Sequence, residues 1–511
     1  MPTGEHQPHA PSAATTGTPD WLAHLPAERR TVPLDLTRRG TLVAAWLACW
    51  EADPARPVLH QAGRWVRAAE LEERTRQVAG RLQGAGLQPG DRVIVSADSS
   101  IELVVAHVAA LRAGLVVVPA NTGYRSEEFA HLVADSQPAA AIVDADDRAA
   151  YCRAADENLL ILGVDVDLAD RAARSLDEVS GDSPALIGYT SGTTGRPKGA
   201  VLSHANLLAS VEALLTAWRW TADDRLVLAL PLFHMHGLGV GLHGTLAAGA
   251  SAVLLERFDV DAVLDAARDH QATLFFGVPT MYTRLVESPR AAELARLRLC
   301  VSGSAPLPAD LHRRFEAVSG QRVLERYGMT ETVMLVSNPY DGERRPGTVG
   351  FPLPGVELRL DERGEVLVRG PNVFGGYRNR PEANAEAFDA DGFFRTGDLA
   401  SIDADGYVTL VGRAKELIIS GGYNVYPREV EDVLRRHPAI RDAAVVGTPD
   451  PQWGEVVTAY VESDDEVDAV ALKAFVGEHL ADYKRPRLVH TVDTLPRNAL
   501  GKVQKHLLSP G

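Results

Sequence analysis

A short apolar strand, Ala185 to Tyr189, runs without interruption into Tyr189-Thr-Ser-Gly-Thr-Thr-Gly-Arg-Pro-Lys-Gly199, and this junction constrains the fold more than any other stretch. Gly192, Gly195 and Gly199 let a backbone turn tightly and bring its N–H groups close to anionic oxygens. Ser191, Thr193 and Thr194 add hydroxyl donors, and Lys198 supplies positive charge. Such a loop is built to hold a polyphosphate. It is not a Walker A loop, because Lys198 follows Pro197 and precedes Gly199 where Ser or Thr would be required. A Gly/Ser/Thr cluster lacking the lysine would read as an ordinary surface loop.

The alternation of strand and helix extends along most of the chain. Arg92 to Ser96, Leu226 to Leu230, Thr273 to Gly277 and Leu299 to Ser302 read as short apolar strands, with helices over Asn206 to Trp218 and Val260 to Asp269. This order predicts parallel sheets covered by helices, with ligand loops at the carboxyl ends of the strands. After about Asp405 the pattern changes. A β-rich piece, Tyr407 to Gly412, is followed by Arg413-Ala-Lys415, a further strand and the loop Ser420-Gly-Gly-Tyr-Asn-Val-Tyr-Pro427. A helix over Pro427 to His437, a strand over Ala443 to Gly447 and a helix near Val470 to Leu480 make a compact α+β unit.

The expected fold is therefore α/β: a large N-terminal domain of helix-covered sheets over residues 41–412 and a smaller α+β C-terminal domain over 413–511. Residues 1–40, rich in Pro, Ala, Thr and His, read as a flexible extension with neither a signal-peptide core nor an arginine-rich transit pattern. The net charge of -16 gives no general attraction to nucleic acid or to an acidic membrane, so an anionic ligand must be captured by local groups such as Lys198. No apolar run of about 20 residues predicts a membrane span. The three cysteines, Cys49, Cys152 and Cys300, are widely spaced with no C-x-x-C pair, which fits a reducing cytoplasm.

Five motifs in order carry a resemblance to the adenylate-forming superfamily of acyl-CoA synthetases, peptide-synthetase adenylation domains and luciferases, spanning about residue 41 to Lys505. They are the phosphate loop, Ser302-Gly-Ser-Ala-Pro306, Tyr327-Gly-Met-Thr-Glu331, Phe394-Arg-Thr-Gly-Asp398, and Gly412-Arg-Ala-Lys415 with the terminal Lys502. The resemblance implies that a carboxylate attacks the α-phosphate of ATP, and that coenzyme A then displaces AMP from the acyl-adenylate. It places Thr190 with Ser191 to Gly195 and Lys198 on the phosphates, Thr330 on the α-phosphate, and Glu331 on Mg2+ through phosphate oxygens and water. Ser302, Gly303, Ser304, Ala305 and the run Glu325, Arg326, Tyr327, Gly328 and Met329 are expected around the nucleotide. Asp398 and Arg413 are expected at the ribose. Lys502 carries the charge for the α-phosphate. Lys415 is the hinge about which a mobile small domain turns, bringing Ser420, Gly421 and Gly422 against a pantetheine tunnel. Read by position alone, Lys502 would be a solvated tail lysine.

Within the superfamily the resemblance is to malonyl-CoA and methylmalonyl-CoA synthetases. It rests on Pro231-Leu-Phe-His-Met-His-Gly-Leu238, Gly277-Val-Pro-Thr-Met-Tyr-Thr-Arg284, Ser302-Gly-Ser-Ala-Pro-Leu307 and Ser337-Asn-Pro-Tyr-Asp-Gly342. Arg284 would clamp the unreacted carboxylate with two parallel hydrogen bonds, although a helix-surface ion pair with Glu287 competes with that role. His234 corresponds to the family's aromatic beside the reacting carboxylate; His236, Ser304 and Met334 line the acyl pocket. The stretch Thr332-Val-Met-Leu-Val336 is more apolar than in the malonate enzymes and leaves open a longer alkylmalonate or a medium-chain or branched monocarboxylate, since each buried methylene contributes about 0.8 kcal/mol. A separate carrier protein, loaded in trans, is an alternative acceptor. The oligomeric state is not readable from the sequence.

Overall fold

The apolar runs become adjacent strands in the computed structural model, which describes residues 21–25, 40–190, 197–420, 423–464, 467–498 and 501–508. Arg225–Leu228, Leu274–Gly277, Leu299–Ser302 and Leu324–Tyr327 lie side by side and parallel inside a sheet of nine strands among the described residues. The last three are buried along their whole length. Burial on both faces is why they read as unbroken apolar runs instead of alternating ones.

The second sheet runs Leu160–Leu162, Ala140–Val143, Arg92–Ser96, Val116–Pro119, Pro184–Thr190, Lys198–Ser203. Its first five strands pair in parallel, whereas Lys198–Ser203 folds back antiparallel on Pro184–Thr190. Thr190 and Lys198 thus end and begin the two strands of an antiparallel pair, whose return strand the sequence reading did not include. The helix His204–Ala217 starts two residues before the predicted Asn206 because Ser203 caps it. The Ser203 hydroxyl accepts from Asn206 N at 3.1 Å and the Asn206 side chain accepts from Ser203 N at 3.0 Å.

A four-stranded antiparallel sheet, Glu357–Leu360, Glu365–Arg369, Phe394–Ile402 and Val408–Arg413, joins the first sheet through a bridge between Gly350 and Val408. The smaller C-terminal domain pairs Ile418–Ser420 with Tyr423–Val425 and with Gly454–Glu462, which is flanked by Asp442–Asp450 and Leu488–Val492. Helices Pro427–Leu434 and Ala469–His479 pack on it around Ile418, Val430, Val445, Val457, Leu472 and Val476. The first of these stops at Leu434, short of the predicted His437; Arg435 beyond it bonds Asp442 at 2.7 Å and the Ala443 carbonyl at 3.0 Å.

Part of the segment expected to be a flexible extension is docked. Trp21–His24 forms a turn with His24 and Leu25 buried, and His24 Nε2 donates to the Phe351 carbonyl at 3.2 Å. The apolar Trp21, Leu22 and Leu25 give this piece a face to bury. Cys152 and Cys300 are buried, and desolvation pushes their thiols up to about 11 and about 12; Cys49 is partly buried and also raised. Among the described residues no helix is long and apolar enough to cross a membrane.

Candidate active site

The site is assembled where the parallel strands end. Thr190 and Lys198 face each other at the base of the phosphate hairpin, with Thr190 Oγ1 donating to the Lys198 carbonyl at 3.5 Å. Ser191, Gly192, Thr193, Thr194 and Gly195 lie outside the described residues, as do Gly421 and Gly422. Thr330 abuts this hairpin so closely that a Cβ on Gly188 would stand 2.3 Å from its methyl. The Lys198 ammonium sits 5.3 Å from the centre of the Tyr377 ring, and the Tyr377 hydroxyl donates to Glu331 Oε1 at 2.9 Å. Burial raises the Glu331 carboxyl above its ordinary range. Lysine, tyrosine and carboxylate thus form a chain along one wall of the cleft.

On the next wall, Tyr327 donates to Asp398 Oδ2 at 2.5 Å and Arg413 Nε meets Asp398 Oδ1 at 2.6 Å. Asp398 and Arg413 are cross-strand partners, so the sheet itself sets this pair. The Asp398 charge raises the Arg413 guanidinium despite burial. Lys502 stands beside them on a turn closed by Asn498: Asn498 N donates to the Lys502 carbonyl at 2.9 Å and Lys502 N to Asn498 Oδ1 at 3.0 Å. Arg497 holds that turn by bonding the Gly501 carbonyl at 3.1 Å and Asp442 at 2.6 Å. Lys502 keeps solvent contact, yet the cleft around it and the nearby Arg413 lower its pKa from the ordinary lysine value. Lys502 is also close enough to His234 to help depress that imidazole, which burial and Arg326 bring to about 4.

His234 and His236 follow the strand Arg225–Leu228, on the short link into a π-helical stretch, His236–Leu242. This close turn depends on Gly237, whose added Cβ would lie 2.2 Å from the Pro231 carbonyl. His236 N donates to His234 Nδ1 at 3.2 Å, and Ser304 Oγ lies 3.3 Å from His236 Nδ1. Ser304 is held at φ +68° and Val333 at +57°, both left-handed positions unfavourable to such residues. The turn Thr332 to Met334 is kept by Asn372, whose Nδ2 donates to the Thr332 and Met334 carbonyls at 3.0 and 2.7 Å. Met334 is buried against this turn.

Three expected residues have surroundings that the motif did not convey. Glu325 is buried, pushed up to about 7 by desolvation, and accepts Leu307 N at 2.8 Å, which fixes the turn after Ser302. Arg326 alternates with Glu325 and Tyr327 along its strand and so faces away from Asp398, against the backbone of Gly303. Arg284 is exposed, stacked 5.0 Å from the Phe258 ring in a cleft of about 540 Å³ that also includes Arg257, Thr280 and Gly501. Lys415 lies in a short 3-10 turn, Ala414–Glu416, at the domain junction.

Tyr377 and Asn372 were missed from sequence. Each acts through a contact to a residue 38 to 46 positions away, which no local pattern encodes; the Gly375-Gly376-Tyr377 turn was the available signal for the first. No cluster of three or more metal-ligating side chains occurs among the described residues. A single buried carboxylate such as Glu331 nevertheless suits Mg2+, which retains water and takes most of its oxygens from a bound polyphosphate.

A family model described as AMP-binding enzyme matches residues 43–378, and a second, AMP-binding enzyme C-terminal domain, matches residues 429–502. The chain belongs to the AMP-binding enzyme family. Feruloyl-CoA synthase of Amycolatopsis sp is 38% identical over 470 residues, covering 88% of this chain and 95% of that protein. ATP-bound MatB from Rhodopseudomonas palustris overlays with a TM-score of 0.86 at 42% identity, covering 91% of this chain and 98% of that one. A malonyl-CoA ligase in a ternary product complex with methylmalonyl-CoA and AMP overlays at 0.65 with 45% identity, covering 87% and 98%. The protein is an acyl-CoA synthetase, and ATP and CoA are the substrates its family shares.

Proposed function

We propose that this synthetase converts malonate or methylmalonate, by way of an acyl-adenylate, to the corresponding CoA thioester, AMP and pyrophosphate. The observation that carries this reading is the position of Lys502, within electrostatic reach of both the Asp398–Arg413 pair and His234. A cation there lies between the sugar side of the cleft and the acyl side, where a carboxylate oxygen meets an α-phosphate.

In the first half-reaction a carboxylate oxygen forms a bond to the α-phosphorus and the bond to pyrophosphate breaks, its electron pair leaving with pyrophosphate. Lys502 offsets the charge on the α-phosphate oxygens. Thr190, Lys198 and Thr330 bind phosphate oxygens, Asp398 accepts from ribose hydroxyls while Arg413 orients it, and Ser302 to Ala305 with Tyr327 border the base. Glu331 would hold Mg2+ through phosphate oxygens and water; the ion would supply further positive charge to the polyphosphate. In the second half-reaction the CoA sulfur bonds to the acyl carbon, its proton is lost and AMP departs. For this the domain from 413 onward rotates about Lys415, withdrawing Lys502 and presenting the edge near Ser420 to pantetheine.

The relatives named above differ in acid, so substrate rests on the pocket. A medium-chain or branched monocarboxylate is the second reading, favoured by the complete burial of Val333, Met334, Leu335 and Val336. A carrier protein acting in trans is an alternative acceptor, and a reducing cytoplasm suits the three free thiols. The deciding experiment is thioester formation with ATP, Mg2+ and CoA over malonate, methylmalonate, butylmalonate, acetate, butyrate and octanoate. Preference for the malonates is expected; preference for butyrate or octanoate would overturn the dicarboxylate reading.

A further inference from the structure

We propose that Asp135 and His131, one turn apart on the helix Ser126–Ser136, are positioning residues that set the wall of the cleft carrying Lys198, Tyr377 and Glu331. This inference rests on the phosphate-side roles proposed above for Lys198 and Glu331, and not on which acid is used.

Helix stability alone argues against Asp135. It lies in the last turn, where the helix dipole presents its negative end and disfavours a carboxylate, and its side chain keeps only 7% exposure. A carboxylate buried in such a place must be met by donors from elsewhere. Two elements supply them. Tyr189, on the strand Pro184–Thr190, donates its hydroxyl to Asp135 Oδ2 at 2.8 Å, and Arg380 Nη2 donates to Oδ1 at 2.8 Å. The Asp135 carbonyl, one of those a helix end leaves unpaired, accepts from Arg378 Nε at 3.1 Å. One residue therefore joins the strand that leads into Thr190 to the turn that follows Tyr377.

His131 lies four positions earlier and so on the same helix face. Its Nε2 is 2.7 Å from the Pro197 carbonyl; a carbonyl can only accept, so Nε2 carries the hydrogen. Its ring also meets Tyr189 edge-on, with centroids 5.8 Å apart. Tyr189 immediately precedes Thr190 and Pro197 immediately precedes Lys198, so the helix grips both strands beside the facing pair Thr190 and Lys198. The turn after Tyr377 is bound to the same return strand: Arg378 N donates to the Gly199 carbonyl at 2.8 Å, and Val201 N to the Gly376 carbonyl at 3.1 Å. Loss of the Asp135 carboxylate would release Tyr189 and Arg380 together. The displacement would reach Tyr377, whose ring lies under the Lys198 ammonium and whose hydroxyl binds Glu331. These contacts converge on groups assigned to the phosphates, so the effect should fall on ATP and not on the acid.

The test compares wild type with Tyr189→Phe, Arg380→Met, Arg380→Lys, His131→Phe, Asp135→Ala and Lys198→Met. ATP–pyrophosphate exchange gives KM for ATP and for the preferred acid, single-turnover assays give thioester formation from supplied acyl-adenylate, and thermal unfolding is followed for each. Tyr189→Phe, His131→Phe and Arg380→Met should each raise KM for ATP about tenfold, with KM for the acid altered less than about twofold. Arg380→Lys should recover much of the loss. Asp135→Ala combined with Tyr189→Phe should be no worse than Asp135→Ala alone, because the first change already removes the group that the second addresses. Tyr189→Phe and Arg380→Lys keep the test open should Asp135→Ala fail to fold. Thioester formation from the adenylate should keep the wild-type rate, which general loosening of the fold would not spare. An unchanged KM for ATP in Tyr189→Phe and Arg380→Met, or equal loss in both half-reactions with a lowered unfolding temperature, overturns the inference alone. Should Lys198→Met leave KM for ATP unchanged, the phosphate-side reading falls and the inference with it.

Discussion

On the proposed mechanism Lys502 works by charge, so its protonation limits adenylation at high pH. Its pKa is lowered by desolvation and by Arg413, so the cationic form is lost at lower pH than for an ordinary lysine. Adenylation, followed by pyrophosphate release, should therefore fall as pH rises through that lowered value, while thioester formation from preformed adenylate should lack this limb. Lys502→Ala should reduce the first half-reaction about 100- to 1,000-fold, as loss of a transition-state charge donor does, and spare the second. Glu331 shows the opposite burden. Its carboxyl is raised by burial, so the ionised form destabilises the folded state above the unfolded pKa. Glu331→Gln should accordingly raise the unfolding temperature at pH 7 while abolishing activity; a lowered temperature would contradict this. The gathering of Lys502, Asp398 and Arg413 in one place was legible because each sits in a contiguous motif. Arg326 was legible as a motif member but not in its orientation, since strand alternation turns it away from Tyr327.

At the level of elements, the proposed acyl wall depends on a link that no helix or strand supplies. Asn372 bonds the carbonyls of Thr332 and Met334 while Val333 holds a left-handed conformation between them. Asn372→Ala removes both bonds; the Thr332 carbonyl keeps Met334 N at 2.7 Å but the Met334 carbonyl loses its Asn372 donor, and a loss of about 1–2 kcal/mol is expected, measurable as a lower midpoint in urea unfolding. The same change should loosen the wall and narrow the difference between short and longer acids; an unaltered acid profile with full stability would show that the turn holds without it. The strand and helix alternation gave most element positions within a few residues. Boundaries moved where a side chain decided them, as Ser203 does for the helix at His204. The return strand Lys198–Ser203 escaped notice because Lys198, Gly199 and Ala200 read as the end of the phosphate loop, whereas hydrogen bonding to Pro184–Thr190 makes them a strand.

For the molecule as a whole, the proposed mechanism makes the disposition of the small domain set which half-reaction is served. Arg428, at the start of the helix Pro427–Leu434, donates to the Leu410 carbonyl across the junction at 2.6 Å, and Gly501 approaches Thr280 so closely that a Cβ would lie 3.0 Å from its side chain. Both contacts hold Lys502 in the cleft. Arg428→Ala removes a charge-assisted bond from this arrangement only and should slow adenylate formation about tenfold, with thioester formation from supplied adenylate unchanged or faster in single-turnover measurements; equal slowing of both would place Arg428 outside the domain equilibrium. The deep placement of the cysteines bears on how such rates are followed. With Cys152 and Cys300 buried and their thiols at about 11 and about 12, almost no thiolate exists on either at neutral pH. A disulfide dye that reports unconsumed CoA sulfhydryl will therefore read the substrate against two silent thiols, and oxidised CoA will find only the partly buried Cys49 with which to exchange.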